Sequence, residues 1–183
     1  MNTTDRILGE AQKVRPPTKK ELTDPRSAYN YAKDVIGGRF PECEEAIAKD
    51  PGYAYNYAYG VLKGHWPEAE PVIAKSPKWA YNYAKDVIKG RFPEAEAAIA
   101  KDPWSAQFYA KDVIKGRFPE AEPAIAKSPQ WAHYYAKYVI KGRFPEGEPA
   151  IAKSPDYSTM YLKQFPEAKL EWAMNGLIDW LDL

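Results

Sequence analysis

Residues 78–103 read K-W-A-Y-N-Y-A-K-D-V-I-K-G-R-F-P-E-A-E-A-A-I-A-K-D-P, and this stretch decides the fold. Close relatives of it begin at Arg26, Gly52, Trp104 and Gln130, so five copies follow one another at a 26-residue period without a gap. Phe40, Trp66, Phe92, Phe118 and Phe144 hold one equivalent position, each followed by Pro-Glu. Self-similarity at a fixed period of this length marks a tandem array of one supersecondary unit.

Within a copy, Asp102-Pro103, Ser76-Pro77 and Ser128-Pro129 each read as a helix start. The side-chain oxygen can accept from free backbone amides, and proline suits the first helical position. Ala80, Tyr83, Ala84, Val87 and Ile88 then follow the spacing of one buried helical stripe. Gly38, Gly64, Gly90, Gly116 and Gly142 are expected to supply the left-handed residue that ends each long helix.

Phe92 precedes Pro93, which pushes its backbone away from the helical region and makes a corner. A shorter helix follows. Pro71, Pro123 and Pro149 stand four residues after the first proline of their copies, where a proline removes a donor and crowds the preceding turn. A tight 3₁₀-like turn over Pro-Glu-Ala-Glu, then about one helical turn, is expected there. Arg91 with Glu94 and Glu96, repeated along the chain, suggests a charge ladder of small energetic weight.

The fold expected is all-α: a short α-solenoid of about five helix-pair repeats, residues 26–155, between degenerate caps at 1–25 and 156–183. Ile7, Leu8 and Ala11 form one apolar set in the first cap. In the last, Phe165-Pro166-Glu167 arrives about five residues early, and a lengthened helix through Leu170, Trp172, Ala173, Leu177, Ile178 and Leu181 is expected to cover the final layer. Trp180 and Leu183 add apolar surface that can close the array or make a homodimer contact.

Composition narrows the function. Lys plus Arg total 26 against 25 Asp plus Glu, a net charge of +1, which argues against a strongly basic nucleic-acid binder. One cysteine, Cys43, rules out an internal disulfide framework and suits a reducing, cytoplasmic setting. It stands where other copies carry Ala69, Ala95, Ala121 and Gly147, so it reads as a small buried residue. No apolar run reaches the ~20 residues of a membrane span.

Nothing here reads as an enzyme, and no cofactor or metal is implied. His65 and His133 are the two histidines, each replacing another residue type within its copy. Metal sites need clustered ligands and nucleophilic catalysis needs a base beside a Ser or Cys. Gly64, Gly90, Gly116 and Gly142 each stand alone at an expected helix end, and no glycine-rich phosphate loop is present.

Copies compared with one another show where individuality lies. The middle of the outer face reads Asn30, Asn56, Asn82, Phe108, Tyr134, and the next turn Asp34, Gly60, Asp86, Asp112, Tyr138. The first residue reads Arg26, Gly52, Lys78, Trp104, Gln130, and a column beside the buried stripe reads Tyr29, Tyr55, Tyr81, Gln107, His133. Aromatic residues grouped on an outer face are the usual material of interface hot spots. Trp104, Gln107, Phe108, Trp131, His133, Tyr134 and Tyr138 are therefore the candidate partner-binding residues, and a protein is the partner expected.

The rival reading is a single-strand nucleic-acid binder, with Lys33, Lys85, Lys111 and Lys137 on phosphates and tyrosines stacking on bases. Asp34, Asp86 and Asp112 beside those lysines weaken it. A small-molecule site built on the tyrosine columns is a third option.

The phrase Tyr-Ala-Lys-Asp-Val-Ile-Lys-Gly-Arg-Phe-Pro-Glu-Ala-Glu, from Tyr83 to Glu96, resembles short tandem helical repeats of uncharacterised tailed-bacteriophage and bacterial proteins. The resemblance spans residues 26–155 and carries no activity that could be transferred to a residue. It implies an α-solenoid and, more loosely, a phage-encoded accessory protein acting on a host defence or regulatory factor.

Overall fold

The computed structural model describes residues 14–179. Ile7, Leu8 and Ala11 of the expected first cap lie outside that range, as do Trp180, Leu181 and Leu183. Among the described residues every regular element is helical and none is a strand. The chain divides into two compact units, Met1–Val72 and Ile73–Leu183.

In the first unit a 3₁₀ turn at Lys20–Leu22 precedes α1 (Pro25–Asn30), α2 (Pro41–Ile47), α3 (Pro51–Tyr57) and α4 (Glu70–Ile73), which reaches the boundary. The second unit holds α5 (Pro77–Tyr83), α6 (Pro93–Ile99), α7 (Pro103–Tyr109), α8 (Glu122–Ile125), α9 (Pro129–Tyr135), α10 (Glu148–Ala152), α11 (Pro155–Gln164) and α12 (Ala168–Met174). In the first unit α1 packs on α3; in the second, α5 packs on α7, α7 on α9 and α9 on α11. Helix pairs laid beside their sequence neighbours, each covering the apolar face of the next, are the architecture of a short α-solenoid.

Each of the first five long helices changes pitch halfway. After the α-helical part come π-helical segments at Tyr31–Ile36, Ala58–Leu62, Ala84–Ile88, Ala110–Ile114 and Ala136–Ile140. This moves the helix end by one residue. The left-handed residue is Lys63, Lys89, Lys115 or Lys141, with φ between 54° and 58°, and Gly37 in the first copy, where φ is 71°. Gly90, expected to be that residue, has no positive φ. The amides of Lys89 and Gly90 both donate to the Ala84 carbonyl, so the wider turn closes on the lysine. It also carries side chains off the stripe: Ala80, Tyr83 and Ala84 are buried, whereas Val87 and Ile88 are only half-buried.

Capping divides by residue type. Asp24 accepts from the Ser27 amide, Asp50 from those of Gly52 and Tyr53, and Asp102 from that of Ser105. Ser76, Ser128 and Ser154 have the extended backbone of a cap but make no side-chain capping bond, contrary to expectation. The carboxylate oxygens lie one bond further from the backbone than a serine hydroxyl, and only the aspartates make the contact here.

The second proline acts as expected. Copies without it form helix directly from Pro41 and Pro93. With it, a 3₁₀ turn at Pro119–Ala121 precedes α8, and turns over 67–69 and 145–147 precede α4 and α10.

The core repeats as tyrosine on aromatic corner. Tyr31 meets Phe40 at 5.3 Å between ring centroids, Tyr57 meets Trp66 at 5.0 Å, Tyr109 meets Phe118 at 5.6 Å and Tyr135 meets Phe144 at 5.3 Å. The polar ends of Tyr57, Tyr109, Tyr135 and Tyr161 close the preceding copy, while the Tyr31 hydroxyl donates to the Arg15 carbonyl. The Tyr109 hydroxyl accepts from the Phe92 amide at 2.7 Å and donates to Glu96 Oε1 at 2.8 Å, and Glu96 clamps Arg91 through two bonds of 2.7 and 2.6 Å. Tyr57 with Glu44, Tyr135 with Glu122 and Tyr161 with Glu148 repeat it. The expected charge ladder is thus an Arg–Glu–Tyr latch built on the second glutamate of Pro-Glu-Ala-Glu, while Glu94 stays exposed. Cys43 is fully buried with its thiol donating to the Glu21 carbonyl, and burial pushes its pKa up to about 11.

At the end of the array five residues are missing between Gln164 and Phe165, and the last long helix forms no π segment. Tyr161 follows directly into Phe165, ring centroids 4.9 Å apart, at the close of the uninterrupted α11. Trp172 stacks on Tyr161 at 5.4 Å and donates from Nε1 to Glu148 Oε2 at 2.7 Å, taking the place of a further copy. The helix carrying it is not lengthened as expected. It stops at Met174, and Gly176 follows with φ of 66°. Burial of Trp172 and Ala173 closes the layer within seven residues.

Candidate binding surface

The latches hold α7, α9 and α11 in register, so residues 26 apart line up across neighbouring helices of the second unit. Along that direction the rings form one connected series. Tyr81 meets Trp104 at 5.8 Å, Trp104 meets Phe108 at 5.2 Å, Phe108 meets Trp131 at 6.1 Å and Trp131 meets Tyr134 at 5.8 Å. Tyr134 continues to Tyr138 at 6.0 Å and to Tyr157 at 6.3 Å. These spacings are those of attractive edge and tilted aromatic pairs.

Trp104, Phe108, Trp131 and Tyr134 are half-buried, and Tyr138 is exposed at 45%. The rings brace one another while each keeps an open edge. Lys111 lies 5.7 Å from the rings of both Phe108 and Tyr138, and Lys137 lies 5.1 Å from Tyr138. Cations over ring faces add modest attraction. The surface is therefore apolar along its middle and basic around Tyr138.

Two of the predicted residues do not reach that surface. Gln107 and His133 are each 1% exposed. A helix with a single buried stripe would leave this column open. In the array each inner helix has neighbours on two sides, which also covers this column, and Tyr81 in the same column is 5% exposed. Gln107 Oε1 and both ring nitrogens of His133 have no hydrogen-bond partner. Burial, and to a lesser degree Lys137, lowers the His133 pKa, so the ring stays neutral at pH 7.

The column behaves differently one copy earlier. The Tyr81 hydroxyl donates to Asp112 Oδ2 at 2.6 Å, and Lys85 Nζ donates to the Tyr81 hydroxyl at 3.2 Å and lies 3.4 Å from Asp112. Lys111 lies 3.7 Å from the same carboxylate. Tyr81 and Tyr157, which the sequence reading left out, join the aromatic series. The signal for Tyr81 was its place in the column that becomes Gln107 and His133.

No known protein family, characterised protein or solved structure matches the chain. Among the described residues no helix is long and apolar enough to cross a membrane.

Proposed function

We propose that this protein acts without catalysis, by docking a partner protein on the aromatic strip of its second unit. The observation that carries the reading is the connected, half-open series Trp104, Phe108, Trp131, Tyr134 and Tyr138. Repeat copies without a partner to meet have no need to exchange Asn82 for Phe108 and Tyr134, or Asp86 for Tyr138. Pre-braced rings lose little side-chain freedom on binding, which is why aromatic clusters dominate interface energies. Lys137, over the ring of Tyr138, fits a partner with an apolar centre and an acidic rim. Extended by the resemblance to phage and bacterial repeats, the partner is a host defence or regulatory factor met in the cytoplasm.

Pairing of Lys85 and Lys111 with Asp112 weighs against a nucleic-acid role, because those charges are already compensated within the chain. The test is paired affinity capture from host lysate with the wild-type chain and the Phe108→Asn/Tyr134→Asn variant. A protein retained by the first and lost by the second, at unchanged thermal stability, supports the reading. Equal capture by both overturns it.

A further inference from the structure

We propose that the cleft between the second half of the α9 helix and α11 is a carboxylate-binding site. The cleft has a volume of about 480 Å3 and is lined by His133, Lys137, Met160, Lys163 and Gln164. No carboxylate among the described residues lines it.

The array supplies its own control. Tyr81, Lys85, Lys111 and Asp112 stand in the same repeat positions as His133, Lys137, Lys163 and Gln164, two copies earlier. In the earlier set the Asp112 carboxylate lies between two lysines, within 3.4 Å of Lys85 and 3.7 Å of Lys111, and accepts from the Tyr81 hydroxyl. In the later set the acid has become the neutral Gln164 and the phenol the shorter imidazole of His133. Lys137 and Lys163 have no ion-pair partner among the described residues, and both line the cleft.

His133 gives the second, independent sign. Its side chain is 1% exposed, yet neither ring nitrogen has a hydrogen-bond partner. A buried polar group left unpaired costs about 1–3 kcal/mol, which a bound acceptor would recover. A carboxylate seated between Lys137 and Lys163, where Asp112 stands in the earlier set, accepts from both ammonium groups and from the N–H of neutral His133. Access runs past Met160, which is 46% exposed and has the rotatable bonds to swing aside. The cleft exceeds the size of a lone carboxylate, so the ligand carries an organic body: a small organic acid, or a glutamate or aspartate side chain of a peptide. This inference stands whether or not the aromatic strip binds a protein.

The experiment is an NMR titration of the full chain, following the His133 ring nitrogens, with sodium glutarate, an N-acetylated Gly-Glu-Gly amide and inorganic phosphate at constant ionic strength. The expected result is a saturable shift with Kd of about 1 mM or tighter for at least one of the two carboxylates. Glutarate binding identifies a free acid as the source, and binding of the peptide alone identifies a side chain. Gln164→Asp restores the acid of the earlier copy and should weaken binding at least about tenfold, with the melting temperature confirming the fold. Lys163→Gln should weaken it as well, while Gln164→Asn should not. Absence of a saturable shift with either carboxylate overturns the proposal. So does binding of phosphate alone, or an unchanged Kd in Gln164→Asp.

Discussion

The Tyr109 hydroxyl donates to Glu96 Oε1 across 2.8 Å, tying the long helix of one copy to the short helix of the copy before it, thirteen residues upstream. The same oxygen accepts from the buried Phe92 amide. Burial pushes the Tyr109 phenol above its ordinary range and Tyr57, in the equivalent bond, up to about 12. One hydroxyl therefore satisfies a backbone donor that is out of reach of water. Tyr109→Phe keeps the ring but removes both bonds and leaves the Phe92 amide unpaired, so urea unfolding should show a loss of about 1–3 kcal/mol. A variant as stable as the wild type would mean the latch contributes nothing.

Acid should weaken the array from its carboxylates. The Arg91 hydrogen bond holds Glu96 below the usual carboxylate range, and Arg117 does the same for Glu122. For Glu148 burial pushes upward, but bonds from Arg143, Trp172 and Tyr161 outweigh it and leave the pKa lowered. A folded pKa below the unfolded one means the unfolded chain takes up protons first. The contribution is complete above the unfolded value of about 4.3 and is lost as pH falls through the folded one. Melting temperature should accordingly drop below about pH 4, and less steeply in Glu96→Gln.

His133 titrates in the same sense at a higher pH. Its folded pKa is lowered, so its contribution is complete above the unfolded value of about 6.5 and lost as pH falls below it. His133→Gln, the residue of the preceding copy, should flatten the stability profile below about pH 6.5. Parallel profiles for the two proteins would contradict the burial of a neutral ring.

The lysine at the end of each long helix is in the wrong conformation for a residue with a side chain. Lys89 has φ of 58°, and Gly37 occupies the same position in the first copy. The left-handed conformation costs a side-chain-bearing residue roughly 1–2 kcal/mol, partly offset by the greater freedom of glycine in the unfolded chain, about 0.4–1 kcal/mol. Lys89→Gly should stabilise by about 0.5–1 kcal/mol in chemical denaturation, and Gly37→Lys should do the reverse. Gly90→Ala meets ordinary van der Waals contact, 3.8 Å from Ile88, and should be nearly neutral.

Gly147 is the glycine that space demands. A Cβ there would lie 2.6 Å from Phe144 and 2.7 Å from Ala132. Gly147→Ala, although alanine is the residue of the three copies before it, should destabilise by about 1–3 kcal/mol through overpacking, measured by thermal unfolding.

Sequence periodicity made the architecture legible because each copy must present the same apolar faces to its neighbours. The period, the helix pair, the corner at Phe92 and the effect of Pro71, Pro123 and Pro149 follow from local chemistry alone. The π segments do not, because Ala-Lys-Asp-Val-Ile is an acceptable α-helical phrase and nothing in it announces the wider turn. That one unread feature displaced the left-handed residue from Gly90 to Lys89 and moved Val87 and Ile88 off the stripe. The latch was half visible: Arg91 and Glu96 were paired by charge, but their tyrosine lies a copy away and was assigned only to the core. Gln107 and His133 were misplaced because one helix drawn as a wheel has no second neighbour.

The central claim is that the strip around Tyr138 is where a partner docks, and a photo-crosslinking residue can report this directly. Placed at Tyr138, which is exposed at 45%, it should yield a discrete protein adduct in cells that express the chain. Placed at Tyr59, exposed at 56% in the first unit, it should not. An adduct at Tyr59 equal to that at Tyr138, or none at Tyr138, would contradict the account.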